Sequence, residues 1–476
     1  MARLTIDELA NFCKRKGFVY PTAEIYGGFS GFFDFGPLGV ELKNNIKNEW
    51  WKFHVQQRDD VVGLDGSIIT NPKIWEASGH TEKFIDVRVF CKNCKKESKI
   101  DPSQTEVCEE CGKPLEIKEE FNPMFKTIVG PSEKGIPAYL RPETAQMIFA
   151  NFKSVYEVSR LKLPFGIAQI GKSFRNEIAP RNFLFRCREF EQMELEYFTD
   201  PNHKNPLQIK DISIGVYSKE MQKKGEPPKT MSIKEALSKK LIKLPWHAYW
   251  LSKELEWFIS LGVNPKNLRI RQHKDNEKSH YATDTWDIEY NFPFGWKELE
   301  GIADRGTFDL KAHEKASKKE LRFVTEKGEK ILPQVIAEPS LGVERAFIVF
   351  LLEAYTKNNK DFTILRLHPK LAPVKAAILP LVRKEKSLVK IAKDLYSKTK
   401  QDLNVVYDQS GSIGRRYARN DEIGTPFCVT IDNESEKNAD ATIRNRDDGK
   451  QKRIKLEKIP KILRELCEGK KSFKEV

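Results

Sequence analysis

Two runs of alternating residues, 166–177 and 186–198, joined by a polar loop, constrain this chain more than any other feature. In GIAQIGKSFRNE one face carries Gln169, Ser173, Arg175 and Glu177, and the other carries Ala168, Ile170 and Phe174. In RCREFEQMELEYF, Arg186, Arg188, Phe190, Gln192 and Glu194 alternate with Met193, Leu195 and Tyr197. Successive side chains of a strand point to opposite faces, so the pattern predicts an antiparallel hairpin with one apolar face and one polar face. The polar face holds three arginines, acids and a lone aromatic. A nucleoside triphosphate requires that mixture: forked guanidinium groups for the phosphates and a flat ring for the base. Without a ligand, the same hairpin is a solvated surface laced with ion pairs.

Residues 333–352 place Gln334, Ile336 and Glu338 on one strand face, break at Pro339 and Gly342, and continue as an apolar helix with Arg345 in its first turn. An arginine held there binds a γ-phosphate or faces solvent as a helix-surface cation. Upstream, Leu42, Ile46, Trp50 and Phe53 have helical spacing over residues 40–57, and a β-like run over 61–70 stops at Pro72. Thr5-x-x-Glu8 is a capping box and Gly17 a C-terminal cap, which predicts a helix over 5–16; the Gly- and Phe-rich residues 27–39 read as loop. Pro142 and Glu143 are expected to open a helix over PETAQMIFANF. Residues 201–265 are Lys-rich, weakly periodic and read as an insertion. After Leu365 the segments AAILPLV, LVKIAKDLYSK and NVVYD alternate strand, helix and strand, so residues 366–476 read as a small α/β domain.

Cys91, Cys94, Cys108 and Cys111 form CxxC-x13-CxxC within a short polar insert, residues 88–120. Four thiolates in two knuckles are the tetrahedral set zinc prefers, and so small an insert has no core of its own. A redox pair and a ribbon that has lost its metal are the alternatives. The other cysteines (Cys13, Cys187, Cys428, Cys467) are scattered, as reduced thiols would be. The net charge of +14 is uneven: residues 366–476 hold 26 Lys and Arg against 16 Asp and Glu. This region therefore suits a polyanionic partner, and RRYAR at 415–419 sets basic residues around Tyr417, a pattern for phosphate contact and base stacking. The N-terminal stretch carries Asp7 and Glu8 with no apolar leader core, and no apolar run approaches a membrane span, so a cytoplasmic chain is expected.

In this order the segments resemble the signature motifs of class II aminoacyl-tRNA synthetases. Residues 41–72 look like motif 1, the dimer-forming element; 166–198, with FRNE and REF, like motif 2; and 333–352, with Gly342-x-Glu344-Arg345, like motif 3. Each is weak singly, but the joint occurrence across roughly 280 residues is specific. The stretches WEASGH, RPETAQ, FRNEIAPR, WKELEGIADR, EPSLGVER and DEIGTPFCVTID are similar to glycyl-tRNA synthetases of the homodimeric type. Two departures are Cys187, which interrupts the loop between Arg186 and Arg188, and Lys99, where bacterial relatives tend to have Arg.

The resemblance implies an α+β chain. Residues 1–365 would be a class II catalytic domain on an antiparallel sheet with a zinc-ribbon-like insert, and 366–476 an anticodon-binding α/β domain. It implies that ATP is held by Arg175, Asn176, Glu177, Phe185, Arg186, Arg188, Phe190, Glu298, Leu299, Gly342 and Arg345, with Arg175 and Arg345 catalytic. Glycine would be held by Glu143, Phe190, Gln192, Glu194, Arg305, Glu338 and Ser340, and Mg²⁺ by Glu298 or Glu338. Structural Zn²⁺ on the four cysteines, tRNA(Gly) as partner and a homodimer are also implied. Trp50, Trp51 and Phe53 would give that dimer an apolar load beyond one helical stripe. Glycine offers no side chain to grip, so a selective pocket excludes every Cβ by bulk and holds the ammonium with carboxylates, here Glu194 and Glu338; no editing domain is evident. The rival readings are a synthetase-like binding protein without catalysis and a synthetase for serine, proline or threonine.

Overall fold

The computed structural model describes residues 4–95, 97–100, 107–108, 111–132, 134–200, 208–279, 281–357 and 362–476. Nine strands of the central region join one sheet: β1 (Val61–Gly63), β2 (Phe165–Phe174), β3 (Glu189–Thr199), β4 (Ser213–Tyr217), β5 (Lys229–Ser232), β6 (Leu268–Gln272), β7 (Asp284–Phe292), β8 (Gly295–Asp304) and β9 (Gln334–Gly342). Their spatial order is β5-β4-β6-β7-β8-β9-β3-β2-β1. Among the described residues of this sheet, the β1/β2 and β4/β6 pairs alone are parallel. The predicted hairpin is β2 with β3: Gln169 lies opposite Glu194, Gly171 opposite Gln192 and Ser173 opposite Phe190, while Ala168, Met193 and Leu195 enter the core.

Helices α1 (Ile6–Lys16), α2 (Pro37–Trp51), α3 (Ala145–Ser159), α4 (Pro245–Ser260) and α5 (Val343–Ala354) pack around this sheet. The Thr5/Glu8 capping box opens α1, and Gly17 closes it in the left-handed conformation that glycine adopts without strain. Pro37 sits at the first position of α2, whose Leu42, Ile46 and Trp50 are buried, and the helix relaxes into a π turn, Lys52–Gln56.

The structure revises several expectations. The run 61–70 splits into β1 and a short strand, Ile69–Thr70, that pairs in a separate sheet with Ile136–Leu140, and Pro72 opens a helix (Pro72–Ser78). Part of the presumed loop 27–39, Phe33–Phe35, pairs with Val19–Pro21. The helix expected from Pro142 starts at Ala145, because the preceding backbone is committed elsewhere: the Pro142 carbonyl accepts from Arg175 Nε at 3.0 Å and Thr144 N–H donates to Gln192 Oε1 at 3.2 Å. Strand β9 continues through Pro339 to Gly342; pairing with β3 lapses between Ala337 and Ser340, where the missing N–H costs no ladder bond.

The Lys-rich stretch is built into the main body. Its β4 and β5 extend the sheet and α4 buries Trp246, Trp250, Leu251, Leu255, Trp257 and Phe258, a helix apolar on most of its circumference, which erases the amphipathic period. Residues 201–207 lie outside the described part. Trp50 is fully buried within the chain and Trp51 packs over Gly63, so the aromatic load of α2 serves the intramolecular core and is no argument for a dimer.

The C-terminal region folds as expected. Strands β10 (Ala376–Pro380), β11 (Val405–Tyr407), β12 (Phe427–Ile431), β13 (Asp440–Asn445) and β14 (Gln451–Lys455) lie in the order β11-β10-β12-β13-β14. Helices α6 (Lys386–Thr399) and α8 (Ile459–Cys467) complete a core separate from the main one, and α7 (Ile413–Glu422) packs through Ile413 and Tyr417 against Ala377, Leu379 and Cys428 of β10 and β12. Leu365, Leu367 and Leu371 belong to the main core, so the second core begins at Ala376.

The basic motif on α7 is only partly available to a ligand. Arg416 is buried and donates to the carbonyls of Pro380 (2.6 Å), Leu381 (3.1 Å) and Asp408 (3.4 Å), and Tyr417 is tied to Thr430 Oγ1 at 2.6 Å. Arg415 remains exposed. Arg416→Ala should therefore destabilise this domain by about 2–3 kcal/mol, because it strands buried carbonyls. Arg415→Ala should leave stability within about 0.5 kcal/mol and lower the salt slope of polyanion binding by roughly one unit if it meets a phosphate. Urea unfolding and salt-titrated binding separate the two roles; equal stability losses would contradict them.

Candidate active site

The polar faces of β2, β3, β7, β8 and β9 floor a cavity of about 360 Å³. One row runs straight across it: Gln169, Glu194, Ser340, Gly301 and Asp287 are successive cross-strand partners. Arg175, at the end of β2, has its guanidinium between the rings of Phe84 and Phe190, 5.5 and 5.6 Å from their centroids. On the opposite side Arg345, in the first turn of α5, donates to Glu298 Oε1 at 2.8 Å and lies over Phe185 at 4.6 Å. Arg186 lies 3.9 Å from Glu177. Lys43 of α2 meets both Glu191 and Glu344 at 2.7 Å, which clamps α2, β3 and α5 together behind the cavity.

One corner is dense with carboxylates. Glu194 accepts from Ser340 Oγ at 2.7 Å and from Thr144 Oγ1. Burial, with Glu143 nearby, pushes its pKa above the ordinary 4.5. Burial likewise pushes Glu338 up to about 8, although Arg305 Nη1 donates to it at 2.6 Å. Glu143 goes the other way: burial opposes its charge, but His80 at 3.3 Å, Arg305 and Arg175 hold it well below the usual carboxylate range. Arg305 is wholly buried behind this corner, bound to Asp309 by two hydrogen bonds of 2.7 and 2.9 Å.

Most of the expected residues meet at the cavity: Glu143, Arg175, Glu177, Phe185, Arg186, Phe190, Gln192, Glu194, Glu298, Glu338, Ser340, Gly342 and Arg345 line it. Arg305 supports the corner from behind. Arg188 is turned away, donating to the carbonyls of Glu177 and Ser30, both at 3.0 Å. Leu299 is the extra residue of a bulge between β7 and β8 and is buried in the core, and Asn176 is not among the lining side chains. Glu298 lies five residues along β8 from Ala303, the partner of Glu338, or about 16 Å away at 3.3 Å per residue, so one Mg²⁺ cannot touch both. His273, Ser279, Thr285, Asp287 and Gly301 also line the cavity and were not anticipated. The signal was present in DTWDIEYNF, where Thr285, Asp287 and Glu289 alternate with Trp286, Ile288 and Tyr290.

Cys91 and Cys111 have their sulfurs 3.4 Å apart, Cys94 and Cys108 3.6 Å apart, and all four lie within 4.8 Å of one another. A zinc tetrahedron with bonds of about 2.3 Å has edges of about 3.8 Å, so the donor set fits zinc. The side chain of Lys99 lies outside the described part.

A mixed sheet dominated by antiparallel pairs, with an arginine-bearing hairpin facing an arginine on the helix after β9, defines a class II aminoacyl-tRNA synthetase. Prolyl-tRNA synthetase from Cryptosporidium parvum shares the fold, with a TM-score of 0.60 at 17% identity over 98% of this chain and 78% of that one. Residues 375–466 match the anticodon binding domain family. Glycine–tRNA ligase from Thermobifida fusca is 43% identical over 98% of both chains, and that of Treponema denticola 40% identical over 99% of both. The chain belongs to the glycine–tRNA ligase family.

Proposed function

We propose that the cavity forms glycyl-adenylate from glycine and ATP and passes the glycine to the 3′-terminal adenosine of tRNA(Gly), as a glycine–tRNA ligase does. The observation that carries this is the buried carboxylate corner beside Ser340, within one cavity of the arginine-lined face of β2 and β3. Glycine's ammonium pairs with Glu194, which accepts from the Ser340 and Thr144 hydroxyls. The glycine carboxylate then extends over Gly301 and attacks the α-phosphorus, and pyrophosphate leaves. Arg175 stabilises the charge growing on the α-phosphate, the Phe190 ring stacks on the adenine, and Arg345 and Arg186 anchor the γ-phosphate. Mg²⁺ neutralises the triphosphate when bound, and Glu298 is the carboxylate suited to hold it. ATP–pyrophosphate exchange with each amino acid tests the reading: glycine should support it, and exchange with serine or proline but not glycine would defeat it.

Glycine binding should release protons. Glu194 and Glu338 both have raised pKa values, so below about pH 8 part of the pair is protonated, and an arriving ammonium favours the ionised forms. The KM for glycine should rise as pH falls below about 8, and calorimetry in buffers of different ionisation heat should show release that Glu194→Gln diminishes. Buffer-independent heats would contradict it.

Zinc on the four cysteines is structural, since four thiolates leave no position for water. Metal analysis should give one zinc per chain, and a strong chelator should unfold the insert before the main body melts. Well under one zinc after gentle purification would count against it. The chain is read as a homodimer that works in the cytoplasm. Exposed Ile25, Tyr26, Val40 and Ile136 supply apolar surface for a second copy. Sedimentation at twice the chain mass checks this. Among the described residues no helix is long and apolar enough to cross a membrane.

A further inference from the structure

Gly301 is an unexplained glycine. It lies within β8 with an ordinary φ, and a Cβ built on it would meet nothing within 4 Å except Asp287 Oδ1 at 3.8 Å. Neither backbone conformation nor packing requires glycine there, and glycine weakens a strand interior. The remaining reason is space: the floor between Ser340 and Asp287 is kept open for a ligand. With the ammonium at Glu194 and Ser340, the next strand of the row, about 4.8 Å on, places the glycine carboxyl over Gly301. Asp287 is one strand further and borders the reacting carbon from the side opposite Arg175.

Asp287 is 4% exposed and divides its two oxygens. Its Oδ2 is bound by His273 Nε2 at 2.7 Å, whereas Oδ1 faces the Gly301 floor with no hydrogen-bond partner among the described residues. An anion beside an attacking carboxylate does nothing for adenylate formation. It is the group required by a hydroxyl that must lose its proton at the same carbon. We infer that Asp287 Oδ1 accepts the proton of the tRNA 3′-terminal ribose hydroxyl during glycyl transfer, with His273 as the positioning residue that fixes the carboxylate. In that step the ribose oxygen bonds to the carbonyl carbon of glycyl-adenylate, the carbon–oxygen bond to the phosphate breaks, AMP leaves with that electron pair, and the hydroxyl proton moves to Asp287.

The surroundings suit a base. Burial pushes Asp287 up to about 6, with His273 and Arg271 of β6 and its following turn opposing and Glu298 of β8 reinforcing; Arg271 is itself engaged by Glu277 at 2.6 Å. Such a carboxylate is largely ionised at neutral pH and more basic than a free one.

The inference rests on the glycine–tRNA ligase reading, and the test separates the two. Asp287→Asn and His273→Gln should lower single-turnover transfer from enzyme-bound glycyl-adenylate to tRNA(Gly) by about 10²–10³-fold more than they lower ATP–pyrophosphate exchange. The transfer rate of the parent should rise with pH, and that rise should vanish in Asp287→Asn. Transfer and exchange falling in parallel at unchanged melting temperature, or transfer at the parental rate, would overturn the role of Asp287. If Asp287→Asn melts early, His273→Gln carries the test by the same ratio. A parent enzyme without glycine-dependent exchange would overturn the ligase reading instead.

Discussion

Replacing Arg175 by Ala should lower kcat/KM for glycine-dependent ATP–pyrophosphate exchange by about 10²–10³-fold, or about 2.7–4 kcal/mol of transition-state stabilisation. The size follows from how the side chain is held. Its Nε is bound to the Pro142 carbonyl at 3.0 Å and its plane is confined between Phe84 and Phe190, so the remaining guanidinium nitrogens are presented to the cavity with little freedom to lose on binding. Arg175→Lys should recover little, because an ammonium has neither the flat face that fits between the rings nor the fork that spans two phosphate oxygens. Exchange within threefold of the parent in Arg175→Ala would remove it from the mechanism.

Arg305→Leu should cost about 3–5 kcal/mol of folding stability, the price of leaving buried carboxylates without their cation. Arg305 bonds Asp309 and Glu338 and lies 3.9 Å from Glu143. Its flat face rests 3.7 Å from the Tyr281 ring centroid. The pH response has a definite sign. Glu338, once without its cation, has a folded-state pKa well above the unfolded 4.5, so the folded state binds more protons than the unfolded one in that interval. Stability then falls as pH rises, and the variant should melt higher at pH 5 than at pH 8. A melting temperature within a degree or two of the parent would show the network to be dispensable.

The hairpin was legible because one face meets a core and the other a cavity, the condition under which period-2 alternation is sharp. The same logic would have found Thr285 and Asp287 on β7, whose pattern is equally clean. The bulge at Leu299 could not be read, since it places Glu298 and Glu300 on opposite faces despite their even spacing, and only the partner strand reveals the extra residue. Helix α4 was missed for the opposite reason: buried almost all round, it has no stripe to detect. Pro142 looked like a helix opener because local propensity favours it there, but the backbone around it is spent on Arg175 and Gln192. Arg416 shows the limit of charge patterns: a basic run gives no sign of which arginine turns inward to cap carbonyls.

The central claim is most directly tested by supplying the enzyme with ATP, Mg²⁺, total tRNA and all twenty amino acids together, then identifying what mild base releases from the tRNA 3′ end. Glycine alone, on tRNA(Gly), is the predicted result. Release of serine, alanine or proline, or tRNA left uncharged while glycine-dependent exchange proceeds, would contradict it.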